Sequence, residues 1–150
     1  MFADVVVLAL GLRITVLVKR DGSVWSTGRK SDPLHFTQVL SRGATAAAAG
    51  SDYSIVISQD GSVSTTSTNS EGQISDWDVT ASMRTFSVVQ KIPQAKAVAA
   101  GSYHSLVLTQ QGHVWATGAN KYGQLGAGSK ADKTTFARVM QHGVAIAAGS

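Results

Sequence analysis

The chain has 150 residues, of which 43% are hydrophobic and 15% charged, so it is long enough to bury a sizeable core and is not intrinsically disordered. It contains no cysteine, which excludes disulfides, thiolate chemistry and cysteine-based zinc sites and fits an intracellular protein, cytoplasmic or nuclear. Its formal net charge of +4 permits contact with nucleic acid or with an acidic protein without requiring either.

The first segment, residues 1–18, is apolar and is predicted to be a buried strand. Asp4 and Arg13 interrupt the apolar run, no basic stretch precedes it and no small-x-small cleavage site follows it, so the pattern is not that of a signal peptide. The run is also too short and too interrupted to cross a bilayer as a helix. We therefore expect no membrane partner.

An internal repeat organises the rest of the chain. Ala-Ala-Gly occurs at 48–50, 99–101 and 147–149, with Ala-Leu-Gly at 9–11 as a degenerate copy, and a second glycine follows the copies at 9–11, 48–50 and 99–101 at a constant spacing. We predict one repeat domain over 1–150, with repeats at roughly 5–46, 47–97 and 98–146 and the start of a fourth at 147–150. Its structural repeat positions are Gly22, Gly50, Gly61, Gly101, Gly112, Gly118, Gly123 and Gly126.

Each repeat predicts about four strands. Short β-branched runs at 16–18, 55–57 and 105–109 are typical of strands buried on both faces. Hairpin turns are predicted where a glycine follows each run, at Asp21-Gly22, Asp60-Gly61 and Gln111-Gly112. A returning strand follows each turn, the residues Phe36, Phe86 and Phe136 mark a further strand, and the strand that ends in Ala-Ala-Gly is predicted to close the unit and lead into the next.

The fold class that these units predict is all-β, a partial β-propeller of about three four-stranded blades. The residues at 99–109, 112–115 and 118–126 are similar to the regulator of chromosome condensation repeat family. The resemblance covers nearly the whole chain and implies blades of a seven-bladed propeller, of which about three are present. The chain departs from the family's pattern by carrying Phe36, Phe86 and Phe136 where proline is usual.

The candidate catalytic side chains favour structural roles. His104 precedes Ser105, but its counterparts in the other repeats are Tyr53 and Ile14, which no shared mechanism could tolerate. The remaining histidines lack the spacing of metal ligands, and the glycines recur at blade intervals and not as a phosphate-binding motif. We therefore expect a protein that is not an enzyme and that has no catalytic residue, metal or cofactor.

Two loops supply the candidate partner contacts. Trp77 and Asp78 lie in the long polar loop 71–84, and Asn120, Lys121 and Tyr122 lie in the loop of the third repeat. Trp25 and Trp115, at equivalent strand positions, are predicted to be packing residues.

These features favour a noncatalytic propeller-type scaffold that binds a protein partner or self-associates through open propeller edges. A second hypothesis is a structural subunit whose neighbours cover those edges. The resemblance implies a third, regulation of nucleotide exchange on a Ran-type small GTPase with association to chromatin.

Overall fold

The computed structural model describes residues 3–28, 34–67 and 86–149. These residues form strands without a helix, which confirms the all-β prediction. No helix of a length and hydropathy suited to crossing a membrane is found among them. The strands are β1 (Val5–Leu10), β2 (Ile14–Lys19), β3 (Val24–Gly28), β4 (Thr37–Leu40), β5 (Ala44–Ala49), β6 (Tyr53–Ser58), β7 (Ser62–Ser67), β8 (Ser87–Lys91), β9 (Ala95–Ala100), β10 (His104–Thr109), β11 (Val114–Gly118) and β12 (Lys133–Met140).

The strands form three antiparallel sheets of four strands each: sheet I (β1–β4), sheet II (β5–β8) and sheet III (β9–β12). Within each sheet the strands follow one another in chain order, as in a propeller blade. The sequence predicts that the strand ending in Ala-Ala-Gly is the last strand of a unit, and this prediction is wrong. Ala95–Ala100 pairs with His104–Thr109 and is therefore the first strand of the sheet that follows it. The repeat boundaries at 46/47 and 97/98 stay a prediction.

The core lies between the sheets. Consecutive residues of a strand point to opposite faces, and both faces of β6 are buried. Val56 packs towards sheet I with Val16 and Val24, whereas Ile55 packs towards sheet III with Val107. The prediction that these apolar runs are buried on both faces is confirmed for β6, because sheets cover it on both sides.

The N-terminal run is not one buried strand. It forms β1 and β2, and alternate residues of β1 are exposed: Val6 by 53%, Leu8 by 59% and Leu10 by 70%. Val7 and Ala9, between them, pack against the core shared with sheet II. The prediction of a buried strand is wrong for β1 because only one face of β1 packs against another sheet, while the apolar side chains of its other face are exposed to solvent.

The hairpin turns form where the sequence predicts them. Gly22, Gly61 and Gly112 adopt φ values of 78°, 79° and 80°, a conformation that favours glycine. In the first turn Asp21 Oδ1 accepts hydrogen bonds from Ser23 N at 2.9 Å and from Ser23 Oγ at 2.6 Å. The second turn repeats this arrangement between Asp60 and Ser62. The aspartates therefore fasten the turns through the residue two positions later.

Candidate functional site

The loops that join each first strand to its second strand lie at one end of the sheets, together with the β11–β12 loop. We call this end the loop face and define it by residues 11–13, 50–52, 101–103 and 119–132. Backbone hydrogen bonds connect neighbouring loops: Arg13 N donates to Ser51 O at 3.2 Å, and Ser51 N donates to Ser102 O at 3.5 Å. The Arg13 guanidinium also lies 3.3 Å from the Asp52 carboxylate. The loop face is thus fixed mainly by backbone atoms.

Each Ala-Ala-Gly glycine provides space for the side chain three residues later. A Cβ atom on Gly50 would collide with the ring of Tyr53, and one on Gly101 would collide with the ring of His104. At Gly11 the added atom would meet Ile14 and the carbonyl oxygen of Gly50 in the next sheet. Glycine is required at these positions because the side chain three residues later leaves no room for a Cβ atom. At Gly11 and Gly101 a neighbouring backbone carbonyl also occupies that space.

Tyr53 carries polar contacts from sheet II to sheet III. It is fully buried, and its hydroxyl lies 2.6 Å from His104 O, 3.1 Å from Gly101 O and 3.0 Å from Ser105 Oγ. Burial raises the pKa of Tyr53 well above its ordinary value, and the hydrogen bond with Ser105 offsets part of the rise. The phenol therefore stays protonated and joins the two sheets as a hydrogen-bonding group.

His104 and Ser105 do not form a catalytic pair. They are consecutive residues of β10, so their side chains point to opposite faces of the sheet. Ser105 is buried and bound to Tyr53, while the ring of His104 lies over Gly101. Burial lowers the pKa of His104, which favours its neutral form. This arrangement supplies packing and hydrogen bonding between sheets and no nucleophile with an adjacent base.

The loop 119–132 is organised by Asn120, which is completely buried. Its side-chain Nδ2 donates to Ser129 O at 2.8 Å and Ala131 O at 2.9 Å, and its Oδ1 accepts from Leu125 N at 3.0 Å. Its backbone N donates to Asp132 Oδ1 at 2.7 Å. The structure thus places this predicted contact residue inside the loop, where its side chain has no surface to offer a partner.

Lys121 and Tyr122 lie at the outside of the same loop. Tyr122 is 82% exposed, and Lys121 Nζ lies 5.8 Å from the centre of its ring. Lys130 stands between the two residues whose carbonyls Asn120 binds, so the same network places it in this loop. The loop therefore presents an exposed aromatic ring and two ammonium groups on a fixed backbone.

The other predicted contacts, Trp77 and Asp78, lie outside the described residues, as does the rest of the loop 71–84. Trp115 packs against the core between sheets II and III. Trp25 is half-buried, donates from Nε1 to Ser23 Oγ at 3.2 Å and has Lys19 Nζ 5.8 Å from its ring centre. In the described part of the chain, no three histidine or acidic side chains come together in a way that could hold a metal ion.

Two models of one family match the third repeat and the residues after it. Both describe the regulator of chromosome condensation (RCC1) repeat, and they match residues 95–124 and 111–150. Among curated proteins, the Ultraviolet-B receptor UVR8 of Arabidopsis thaliana is 31% identical over 101 residues, which are 64% of this chain and 22% of UVR8.

Solved structures share the fold. Yeast RCC1 (Prp20), solved bound to Kap60, superposes with a TM-score of 0.81 at 19% identity over 97% of this chain and 40% of that one. A second structure of Prp20p from Saccharomyces cerevisiae, studied for its binding to Gsp1p and histones, gives a TM-score of 0.77 at 18% identity, over 97% of this chain and 42% of that one.

The chain therefore spans about a fifth of the length of UVR8 and about two fifths of the yeast propellers. The four-stranded sheets are blades of the kind found in those propellers. Residues 95–150 therefore match the regulator of chromosome condensation (RCC1) repeat, and the chain shares the fold of the yeast RCC1 propellers.

Proposed function

We propose that the chain is a noncatalytic protein-interaction scaffold that uses the loop 119–132 as a contact surface. The observation that supports this most is the burial of Asn120 beside the exposure of Tyr122. Four hydrogen bonds of Asn120 hold the loop, so little conformational entropy remains to be lost when a partner covers Tyr122 and Lys121. Exposed tyrosines on fixed backbone are typical of residues that dominate binding energy at interfaces.

The test is affinity capture from native lysate with the tagged chain, compared with the double variant Lys121→Glu/Tyr122→Ala. We expect the double variant to lose the captured proteins, while Lys96→Glu, which changes an exposed lysine on β9, keeps them. Equal capture by all three proteins would contradict the role of this loop.

We also propose that exposed apolar faces of the outer sheets support binding to a protein partner or to another copy. Leu8 and Leu10 on sheet I and Met140 on sheet III are more than half exposed, and exposed apolar patches on β-sheets are typical association surfaces. A scaffold of this kind fits an intracellular protein, cytoplasmic or nuclear, and microscopy of a fluorescent fusion would test that location.

The alternative function is regulation of nucleotide exchange on a Ran-type GTPase, with association to chromatin. It is favoured by the fold shared with Prp20p, a protein studied for its binding to Gsp1p and histones, and by the net charge of +4. A purified sample that accelerated release of a fluorescent guanine nucleotide from such a GTPase by orders of magnitude would replace the scaffold proposal with this one.

A further inference from the structure

Residues 143–149 follow the course of a first strand, although they pair with no strand in the described part of the chain. Gly143 N donates to Gly112 O at 2.8 Å, as Ala44 N, at the start of β5, donates to Gly22 O at 3.1 Å. At the other end, Gly149 O lies against Gly101 as Gly50 O lies against Gly11. The segment therefore occupies, beside sheet III, the place that β5 occupies beside sheet I.

The first strands β5 and β9 are each covered by a second strand. The run Ala46–Ala49 pairs with Ser54–Ile57, and Ala97–Ala100 pairs with Ser105–Leu108. The run 145–148 has a closely similar sequence, Ala-Ile-Ala-Ala. Its backbone offers the same antiparallel pairing to a strand that lies alongside it.

The second strands also fill the space between sheets. Val56 of β6 is fully buried in the core with Val16 and Val24 of sheet I. Val107 of β10 is fully buried in the next core with Ile55 and Val63 of sheet II. The valine in the middle of the second strand thus packs on the preceding sheet in both interfaces.

At the outer face of sheet III the corresponding space is open. A cavity of about 270 Å³ lies between this face and the segment, and it is lined by Leu106, Val114, Leu125, Met140 and Ala145–Ala147. Leu106 and Val114 hold the positions in β10 and β11 that Ile55 and Val63 hold in β6 and β7. The cavity therefore lies where a valine of a further second strand would pack.

We propose that this groove, which we call the strand-acceptor groove, binds an extended strand with the pattern of β6 and β10. In both, a serine is followed by an aliphatic residue, a valine and a second aliphatic residue. The bound strand pairs with residues 145–148 through backbone hydrogen bonds and inserts its valine into the cavity, a mode of recognition in which pairing gives affinity and the pocket gives specificity. Leu125 of the loop 119–132 and Met140 both line the groove, so this inference deepens the proposed association through the outer sheet faces. Its test leaves Lys121 and Tyr122 unchanged and can therefore fail without the test of that loop failing.

The test uses the full 150-residue chain and a fluorescein-labelled peptide with the sequence of residues 51–60, whose binding is followed by fluorescence anisotropy. We expect saturable binding, and at least about tenfold weaker binding when the peptide carries aspartate at the position of Val56, because a charge would then enter an apolar cavity. Amide exchange of residues 144–148 is expected to slow when the peptide binds, while the amides of β6 keep their protection.

The protein variants form a matched pair. Met140→Glu places a charge at the groove and is expected to weaken binding about tenfold. Val88→Glu changes a residue of nearly equal exposure, 57% against 58%, on the edge strand β8 of sheet II and is expected to leave binding unchanged. If circular dichroism shows that Met140→Glu does not fold, Ala147→Asp takes its place. Three results would each overturn the proposal. The first is equal binding of the aspartate peptide and the unchanged peptide, and the second is equal weakening of binding by both protein variants. The third is loss of amide protection in β6, which would indicate that the peptide replaces β6.

Discussion

Ser26 and Ala116 are the third residues of β3 and β11, and both are buried, with 4% and 0% of their surface exposed. The hydroxyl of Ser26 is buried without a hydrogen-bond partner among the described residues. A buried polar group without a partner loses its hydration and gains nothing in return. The third repeat avoids this penalty by carrying alanine at the same position.

We predict that Ser26→Ala raises the free energy of unfolding by about 1 kcal/mol, because it removes a hydroxyl whose desolvation is not compensated. The measurement is urea denaturation followed by circular dichroism. The matched control is Ser105→Ala, which removes one of the three hydrogen-bond partners of the Tyr53 hydroxyl and is expected to lower stability by about 1 kcal/mol. Destabilisation by both changes would contradict this account of Ser26.

At the scale of the element, the hairpin turns combine a left-handed glycine with a close approach to another segment. A Cβ atom on Gly22 would lie 2.6 Å from Gly43 N, and Gly22 O accepts a hydrogen bond from Ala44 N. Gly128 has a similar φ of 73° but has nothing within 4 Å of the added atom. A side chain at Gly128 would therefore cost only the free energy of the left-handed conformation, whereas a side chain at Gly22 would add the cost of a collision with Gly43.

We predict that Gly128→Ala lowers the free energy of unfolding by about 1 kcal/mol, the cost of the left-handed conformation alone. Gly22→Ala is expected to cost clearly more, because the turn must also move away from Gly43. The urea denaturation midpoints of the two variants measure this difference. Equal losses of stability would show that the contact with Gly43 adds nothing to the cost of a side chain at Gly22.

The turn aspartates give a pH signature. Hydrogen bonds from the side chain and backbone of Ser23 hold the pKa of Asp21 below its ordinary 3.8, and those from the backbone and side chain of Ser62 do the same for Asp60. Because the folded-state pKa is the lower one, this stabilisation is complete above the unfolded-state pKa and is lost as pH falls through the folded-state pKa.

We predict that Ser23→Ala raises the pKa of Asp21 towards 3.8 and leaves that of Asp60 where it is. Carboxyl carbon chemical shifts followed by NMR between acid and neutral pH measure both groups in one sample. Ser62→Ala provides the reciprocal control. A titration midpoint of Asp21 that stays low in Ser23→Ala would show that another group sets it.

The turns and the buried runs could be predicted because their signals are local. An Asp-Gly pair fixes a turn within four residues, and an apolar run such as 55–57 indicates burial wherever it lies. The sheet that contains Ala95–Ala100 could not be assigned in this way, because its pairing with β10 depends on how the chain folds back. The burial of Asn120 was also hidden, since its partners Ser129 and Ala131 lie elsewhere in the loop.

On the scale of the whole molecule, both outer sheets expose apolar side chains. Val6, Leu8 and Leu10 lie on the open face of sheet I, and Met140 is 58% exposed on sheet III. Between the sheets the same kinds of residue are fully buried, as Val16 and Val107 are. Each outer face therefore has the composition of an interface, and covering it removes apolar surface from water.

We predict that the 150-residue chain associates in solution. Light scattering coupled to gel filtration is expected to give a species larger than 15.6 kDa whose mass rises with concentration, and Leu8→Lys/Leu10→Lys is expected to reduce that mass, because lysine on an open strand face opposes pairing. A sharp, concentration-independent monomer with a cooperative melt would contradict the prediction.

The backbone hydrogen bonds that run from Arg13 to Ser51 and from Ser51 to Ser102 have a consequence for how the repeats can vary. Adjacent blades are aligned at the loop face by amides and carbonyls, which every residue type supplies. The position three residues after the glycine accordingly carries Ile14, Tyr53 or His104, and the interval from Gly11 to Gly50 differs from the interval from Gly50 to Gly101. The alignment of the blades thus does not depend on which side chains their loops carry. Loops on this scaffold can therefore change sequence and length without displacing the neighbouring blade.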